Sequence, residues 1–197
     1  MIAVDVVLLP PADVIEKAVR MNQELVETGN NDIVLDMEKC LPHVTLAMGC
    51  VKEGEIGNID GILKGIAASF SPVEFKVVPS AGGGKAWFRI EKNRDIELLH
   101  EIIMIRLSPF FNYKITEGMI CRERGEEVNG LTLDYIRKFP VDSSFENYTP
   151  HITVGTGVMG KEVEYFKFVS EKLALCHLGD YCTCRKVLLS HRLSLER

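Results

Sequence analysis

The sequence predicts an α+β or α/β sandwich, in which helices lie outside a sheet. Strand-like and helix-like segments alternate along all 197 residues, roughly in the order β-α-β-α-β-β-α-β-α-β, and such interleaving is typical of mixed folds. One short pattern also occurs twice, as LPHVTLAMG at residues 41–49 and as TPHITVGTG at residues 149–157. This echo indicates two related halves, although the remaining similarity between them is too weak for a repeat array.

The composition is that of an ordinary globular protein. Hydrophobic residues make up 46% of the 197 residues, charged residues make up 26%, and the net charge is −5. A chain of this length can bury a substantial core as one domain or as two small lobes. Because non-specific binding to duplexes relies on a basic surplus, we expect any contact with nucleic acid to be local, or the substrate to be small.

We expect no signal peptide and no membrane-spanning segment. The first residues, MIAVDVVLLPP, contain Asp5 and lack a basic leader and a cleavage site. No apolar run approaches the roughly 18 to 20 residues of a membrane helix. Without a secretory signal, the six cysteines are expected to be reduced thiols in a cytoplasm.

The first half of the chain is predicted to begin with a strand at residues 1–10, which two prolines stop. Apolar side chains recur at helical spacing over residues 12–29, with Asp13 as the expected N-cap and Gly29 as the expected C-terminal stop. Three elements are predicted to follow in order: a short strand at 33–35, a strand at 43–48 and an amphipathic helix at 59–70.

The second half is predicted to open with a hairpin whose turn contains Gly82, Gly83 and Gly84. Within residues 114–147, charged residues and possible strand residues indicate a second hairpin or a flap. The predicted elements are strands at 73–78 and 85–91, a helix at 95–107, the flap at 114–147 with a strand at 132–139, a strand at 151–154, a helix at 161–178 and a strand at 187–195.

The echoed segments place like residues on one face, because alternate residues of a strand project together. His43 therefore projects with Thr45, and His151 projects with Thr153, while the intervening aliphatic residues point into a core. A single segment of this kind would be weak evidence, since Val and Thr are common in strands. Two copies with the same alternation, each introduced by proline, favour a functional site.

The chemistry of these residue types points to a phosphoryl group. Imidazole, with an ordinary pKa of about 6.5, can take or give a proton near neutrality, so two histidines can supply a base and an acid. Threonine hydroxyls can donate hydrogen bonds to phosphate oxygens. We predict that His43 and His151 are the catalytic pair and that Thr45 and Thr153 bind phosphate, without a metal or cofactor. Which histidine acts as the base stays open.

The paired Pro-His-x-Thr segments resemble the two motifs of the two-histidine phosphoesterase superfamily, which includes RNA 2′,5′-ligase-like proteins and cyclic nucleotide phosphodiesterases. A strand with Trp87, followed by a Leu-Leu-His helix that contains His100, is also similar. The resemblance implies one bilobal α+β domain over residues 1–197. Its two pseudo-symmetric lobes of antiparallel sheet and outer helices would surround a central cleft, each lobe supplying one His-x-Thr motif.

The same resemblance implies cleavage or formation of a phosphodiester at a ribose 2′ position, commonly the opening of a 2′,3′-cyclic phosphate on an RNA end or a nucleotide. Three functions stay open: a cyclic phosphodiesterase, an RNA 2′,5′-ligase that uses the same site, and a non-catalytic module that binds RNA or nucleotides. Residues 114–147 are longer and more charged than expected of the family. Residues 155–157, Gly-Thr-Gly, follow the second motif where many relatives carry a basic residue. The oligomeric state is also open.

Four further residues are candidates for substrate contacts. Lys85 or Arg89 could border a nucleotide, and Trp87 or Tyr148 could stack on a base, although aromatic residues in strands more often belong to a core. Lys85 follows three glycines but lacks the remainder of a phosphate-binding loop.

Two other kinds of residue are interpreted as structural. The cysteines and histidine at positions 176, 177, 182 and 184 are too irregularly spaced for an ordinary zinc site, which favours buried thiols at a helix end. His100 is expected at a helix surface or core edge, and His191 is expected in the core.

Overall fold

Eight strands and four α-helices form in the computed structural model, which describes residues 1–29, 31–79, 85–158 and 163–195. The strands are β1 (Ile2–Leu9), β2 (Val44–Val51), β3 (Val73–Val77), β4 (Lys85–Arg89), β5 (His151–Val158), β6 (Phe166–Ser170), β7 (Lys172–Leu178) and β8 (Cys184–Arg192). The helices are α1 (Ala12–Glu27), α2 (Ile56–Ala68), α3 (Arg94–Leu107) and α4 (Gly130–Asp142). Short 3₁₀ turns occupy Glu53–Glu55, Glu117–Met119, Phe145–Asn147 and Asp180–Cys182.

The strands pair in antiparallel fashion and fall into two matching groups. Six strands form a sheet in the order β4-β5-β2-β1-β7-β8, and β3 pairs with β6. A bridge between Val77 and Ile90 links the end of β3 to the residue after β4. The two lobes thus have the corresponding orders β2-β1-β7-β8 and β5-β4-β3-β6, and they join where Val44 of β2 pairs with Ile152 of β5. The predicted α+β fold with two lobes of antiparallel sheet is confirmed.

The helices cross between the lobes. Helix α1 follows β1 in the chain but packs on β5, and α3 follows β4 but packs on β2. The sheet face beneath these helices carries the aliphatic residues of the two echoed segments, all of them fully buried: Val44, Leu46, Ile152 and Val154. Each such side chain contributes about 1.5–3 kcal/mol through removal from water. The shared core therefore holds both echoed strands at the junction of the lobes.

The end of α1 is as predicted from the sequence, but its N-cap is not. Gly29 has a φ of 73° directly after α1 and its C-cap, as expected of a C-terminal stop. Asp13 is not the N-cap of α1, because Pro11 occupies that position and no side chain among the described residues caps the helix. The amides of Asn93 and Asn129 cap α3 and α4 by accepting hydrogen bonds from backbone N–H groups two or three residues on.

Residues 114–147 are not the predicted hairpin, and the predicted strand at 132–139 lies inside helix α4. The β-branched and aromatic residues of this segment favoured a strand, but the buried positions recur at helical spacing. They are Thr132, Ile136 and Phe139. The predicted strand at 33–35 is also wrong, because the backbone groups of this segment bond to the side chain of Asn22 and not to another strand.

The predicted helix at 161–178 is wrong, because β6 and β7 occupy most of this range. β7 has five buried residues among its seven, so its apolar run lacks the alternation that distinguishes a half-buried strand from a helix. The glycines at 82–84 lie outside the described residues. The strands on either side of them, β3 and β4, are joined by the antiparallel bridge between Val77 and Ile90.

The cysteines and His191 also differ from expectation. A disulfide joins Cys176 of β7 to Cys184 of β8, so the expectation of six reduced thiols is wrong at these two positions, and neither belongs to a helix end. His191 is not a core residue. Its ring is partly exposed, and its Nε2 lies 2.7 Å from the Asp60 carboxylate.

We expect Gly155→Ala to destabilise the fold by about 1–3 kcal/mol, the usual cost of an overfilled site. A Cβ at Gly155 would lie 2.6 Å from Asn31 Oδ1 and 2.9 Å from Leu25 Cδ1. Asn31 cannot easily move, because its Oδ1 accepts a 2.8 Å hydrogen bond from the backbone N–H of Thr156. Urea unfolding would measure the change in the free energy of unfolding.

Gly61→Ala is the matched control for this substitution. Gly61 lies in α2, and beyond its own helix no atom of the described residues would come within 4 Å of a Cβ at this position. The substitution should therefore leave the stability unchanged or raise it by up to about 1 kcal/mol. Equal effects of the two substitutions would contradict the close packing of α1 on β5.

Candidate active site at the junction of the lobes

The two echoed motifs meet on one face of the sheet. Val44 and Ile152 are antiparallel partners, so continuing the register places Thr45 opposite His151 and His43 opposite Thr153. Directly opposed residues have Cβ atoms about 4.5–5.5 Å apart, and diagonal neighbours lie about 7–8 Å apart. The structure therefore brings the four predicted residues together as a quartet, with the histidines on one diagonal and the threonines on the other.

Both imidazoles are oriented by the same local device. His43 Nδ1 lies 2.8 Å from the carbonyl oxygen of Leu41, and His151 Nδ1 lies 2.8 Å from that of Thr149. A carbonyl can only accept, so Nδ1–H donates, and Nε2 is the nitrogen left to exchange a proton. The prolines of the two motifs intervene between histidine and carbonyl and fix φ near −65°, which explains why proline is part of the echo.

Strand β1 adds a carboxylate that was not among the predicted site residues. Asp5 is fully buried. Its Oδ2 accepts a 2.6 Å hydrogen bond from the Thr45 hydroxyl and lies 3.5 Å from His43 Nε2, while its Oδ1 is buried without a hydrogen-bond partner among the described residues. The available signal was an aspartate within the otherwise apolar strand IAVDVVLL, since an aspartate is almost never fully buried unless it is paired.

Asp5 and His43 influence each other's protonation. Burial raises the pKa of the Asp5 carboxyl, and the opposing effects of His43 and Thr45 only partly offset it. Burial alone would lower the pKa of His43, but the interaction with Asp5 and the hydrogen bond to Leu41 outweigh it, so the pKa of His43 lies above its ordinary value. The pair therefore retains a proton to higher pH than an isolated histidine would.

Two of the four candidate substrate contacts lie beside the quartet. In the pairing of β4 with β5, Trp87 is opposite Thr153 and Arg89 is opposite His151, so their side chains share the face of the motif. The ring centroids of Trp87 and His151 are 4.7 Å apart, and Arg89 is exposed. The side chain of Lys85 lies outside the described part of the structure.

Tyr148 is not placed to stack on a base. Its side chain is 3% exposed, and its ring stacks on His100 with the centroids 4.0 Å apart. Its hydroxyl donates a 2.8 Å hydrogen bond to the carbonyl oxygen of Thr45. Tyr148 therefore supports the strand that carries Thr45 from within the core.

His100 ties the first motif strand to the opposite lobe. It is buried on α3, inside the core and not at the expected surface or core edge. Its Nδ1–H donates to the carbonyl oxygen of Leu46 at 2.5 Å, and its Nε2 accepts from the backbone N–H of Phe145 at 2.7 Å. Burial lowers the pKa of His100 despite these contacts, which favours the neutral ring.

Asn22 on α1 plays the equivalent part for the second motif strand. Its Nδ2 donates to the carbonyl oxygens of Val154 and Ile33 at 2.7 and 2.8 Å, and its Oδ1 accepts from the N–H of Leu35 at 2.9 Å. Val154 and Leu46 occupy the same position in their motifs, directly after the threonine. Each motif strand is thus fixed by a buried polar side chain from a helix of the other lobe. The same side chain also bonds to the segment that precedes the other motif: Asn22 to Ile33 and Leu35, and His100 to Phe145.

Neither a metal centre nor a membrane segment emerges from the described residues. No group of three or more His, Cys, Asp or Glu among them is arranged to hold a metal ion. In the same part of the chain, no helix combines the length and apolar character that crossing a membrane requires.

Comparison with known proteins shows a likeness in fold. No protein-family model matches the sequence, and no curated protein is similar to it in sequence. A crystal structure of TT0787 from Thermus thermophilus superposes with a TM-score of 0.60 at 14% identity, over 100% of both chains. A crystal structure described as a phosphoesterase has a TM-score of 0.50 at 12% identity, over 99% of this chain and 100% of the other. At these identities the likeness concerns the fold alone.

We expect Asn22→Ala to lower the free energy of unfolding by about 3 kcal/mol, because three buried backbone groups would lose a partner. Chemical denaturation would measure the loss. Asn58→Ala is the matched control, since the Asn58 amide is exposed and donates to Glu55. The control should stay within about 0.5 kcal/mol of the parent, and an equally small effect at Asn22 would show that the crossing contact is unimportant.

Proposed function

We propose that this protein is a phosphoesterase that opens 2′,3′-cyclic phosphates of RNA ends or nucleotides by acid–base catalysis. The observation that carries the proposal is the quartet across the junction of β2 and β5. Its two imidazoles are both held through Nδ1 by a backbone carbonyl, and both keep Nε2 for proton exchange. The fold shared with a protein described as a phosphoesterase supports the same reaction class.

The proposed reaction is in-line attack of water on phosphorus between the two strands. One histidine removes a proton from the water as its oxygen bonds to phosphorus. The other gives a proton to the ribose oxygen as its bond to phosphorus breaks, which yields a phosphomonoester and a free ribose hydroxyl. Each of these two roles typically contributes about 10²- to 10⁴-fold to the rate.

The surroundings of the quartet favour a small substrate or the end of an RNA. The net charge of −5 argues against an extended binding surface for RNA as the source of affinity. Beside the quartet, Trp87 offers an aromatic ring and Arg89 offers an exposed positive charge. These residues suit one nucleotide, through stacking and attraction of phosphate.

The decisive experiment is hydrolysis of 2′,3′-cyclic nucleotides in the presence of a metal chelator. We expect turnover by the parent protein, and a loss of about 10²- to 10⁴-fold for either His43→Ala or His151→Ala. His191→Ala is the matched control, because His191 pairs with Asp60 outside the quartet, and it should retain full turnover.

The other outcomes separate the alternatives. Undiminished turnover after either substitution in the quartet would overturn the proposal. Joined product from paired tRNA halves, without hydrolysis, would show a 2′,5′-ligase. Tight binding of cyclic phosphates without turnover would show a non-catalytic binding module.

Trp87 provides a second test, because it is the sole tryptophan of the chain and its ring contacts His151. Titration with a nucleoside 2′-monophosphate should change the fluorescence emission in a saturable way, as a phosphate between the strands alters the surroundings of the indole. The unphosphorylated nucleoside is the control and should leave the emission unchanged. Calorimetric binding of the monophosphate with no change in emission would contradict this placement.

A further inference from the structure

Asp5 has no part in a reaction that needs only two histidines and two threonines, yet it lies within the quartet. Its Oδ2 is 2.6 Å from the Thr45 hydroxyl oxygen and 3.5 Å from His43 Nε2. Its Oδ1 is buried, and no group in the part of the chain that the structure describes forms a hydrogen bond with it. A buried carboxylate beside the nitrogen that exchanges a proton calls for a chemical explanation, because a lone negative charge at this position would repel a phosphodiester.

We propose that Asp5 is a positioning residue that keeps the transferable proton on His43 Nε2 and thereby makes His43 the general acid. This inference rests on the proposed phosphoesterase function, since it assigns the two roles that the reaction requires. The general base is then His151. At 3.5 Å the carboxylate attracts the charge of the imidazolium without a short hydrogen bond to it, so the N–H remains available to a leaving oxygen.

The charge of the pair is compatible with an anionic substrate. One proton shared between Asp5 and His43 gives a net charge of zero, whichever group holds it. Asp5 also interacts electrostatically with the phenols of Tyr135 and Tyr148 and with the thiol of Cys182, and burial raises the pKa of each of these three groups. These three groups are therefore uncharged near neutrality, so they add no charge to the neutral pair of Asp5 and His43.

The same geometry makes the two threonines unequal. A hydroxyl has one hydrogen to donate, and that of Thr45 goes to Asp5. The oxygens of a phosphodiester anion can only accept, so Thr153 is the threonine that donates to phosphate. Thr45 instead supports the negative charge of Asp5, which in turn supports the proton on His43.

The resulting step is balanced. The oxygen of water bonds to phosphorus and gives its proton to His151 Nε2. The bond between phosphorus and the ribose oxygen breaks with its electron pair on oxygen, and that oxygen takes the proton from His43 Nε2. Exchange with solvent then returns a proton to His43 and removes one from His151.

The test is Asp5→Asn, which keeps the size of the side chain but removes its charge. We expect the NMR titration midpoint of the His43 ring to fall by about 1–3 pH units, the usual effect of losing an opposite charge at this range. The alkaline limb of the pH–rate profile for a 2′,3′-cyclic nucleotide should move down by the same amount. Asp60→Asn is the matched control. It removes another aspartate beside a histidine, and it should leave both the His43 midpoint and the rate profile unchanged.

Thr45→Val provides an independent variant that retains Asp5. Loss of the hydroxyl weakens the support for the negative charge of Asp5, so the His43 midpoint should again fall, by less than in Asp5→Asn. If Asp5→Asn does not fold, this variant decides the question by the same titration.

The titration separates this inference from the proposed function. A lowered His43 midpoint together with a shifted rate profile supports both. If the midpoint falls but the parent protein turns over no cyclic phosphate, the coupling of Asp5 to His43 is supported and the proposed phosphoesterase activity is rejected. An unchanged His43 midpoint in the folded variant would overturn the role of Asp5, even if cyclic phosphates are hydrolysed.

Discussion

The pairing of Val44 with Ile152 is the constraint on which the site depends. It joins the two lobes, and its register places the histidine and threonine of each motif opposite the threonine and histidine of the other. The contact between β2 and β5 is short, so it cannot hold the lobes by itself. The crossing helices supply the rest, because Asn22 and His100 each bond a carbonyl of the motif strand in the opposite lobe. The contacts that stabilise the junction are therefore the same contacts that set the geometry of the site.

The near-symmetry of the lobes places two histidines together but does not give them different roles. Two equivalent motifs provide two equivalent histidines, whereas the proposed cleavage of a phosphodiester needs one acid and one base. The strands that flank the motifs differ in the required way. β1 brings the carboxylate of Asp5 to His43, and β4 brings the ring of Trp87 against His151. The scaffold supplies distance and orientation, and its flanking strands supply the difference between the two sides.

The sequence could predict the parts of the site that depend on local periodicity. Alternation along a strand places His43 with Thr45 whatever the tertiary structure, and the echo indicates that a second pair is related to the first. The role of Tyr148 depends on which side chains pack around it, and the contact of Asp5 depends on the pairing of β1 with β2, so neither follows from local pattern. The incorrect helix at 161–178 has a similar cause, since burial of β7 on both faces removes the alternation that identifies a strand.

The position of Asp5 is costly for the fold, which supports the positioning role that we propose for it. A buried polar atom without a partner costs about 1–3 kcal/mol, and Oδ1 of Asp5 has none within the described ranges of the chain. An aliphatic residue, like the others of β1, would avoid that cost and add apolar burial to the core. Sites that sacrifice stability for a particular charge are typical of catalytic centres. The unpaired oxygen belongs to the same carboxylate that contacts His43 and Thr45. Asp5 therefore both destabilises the fold and makes the two sides of the quartet different.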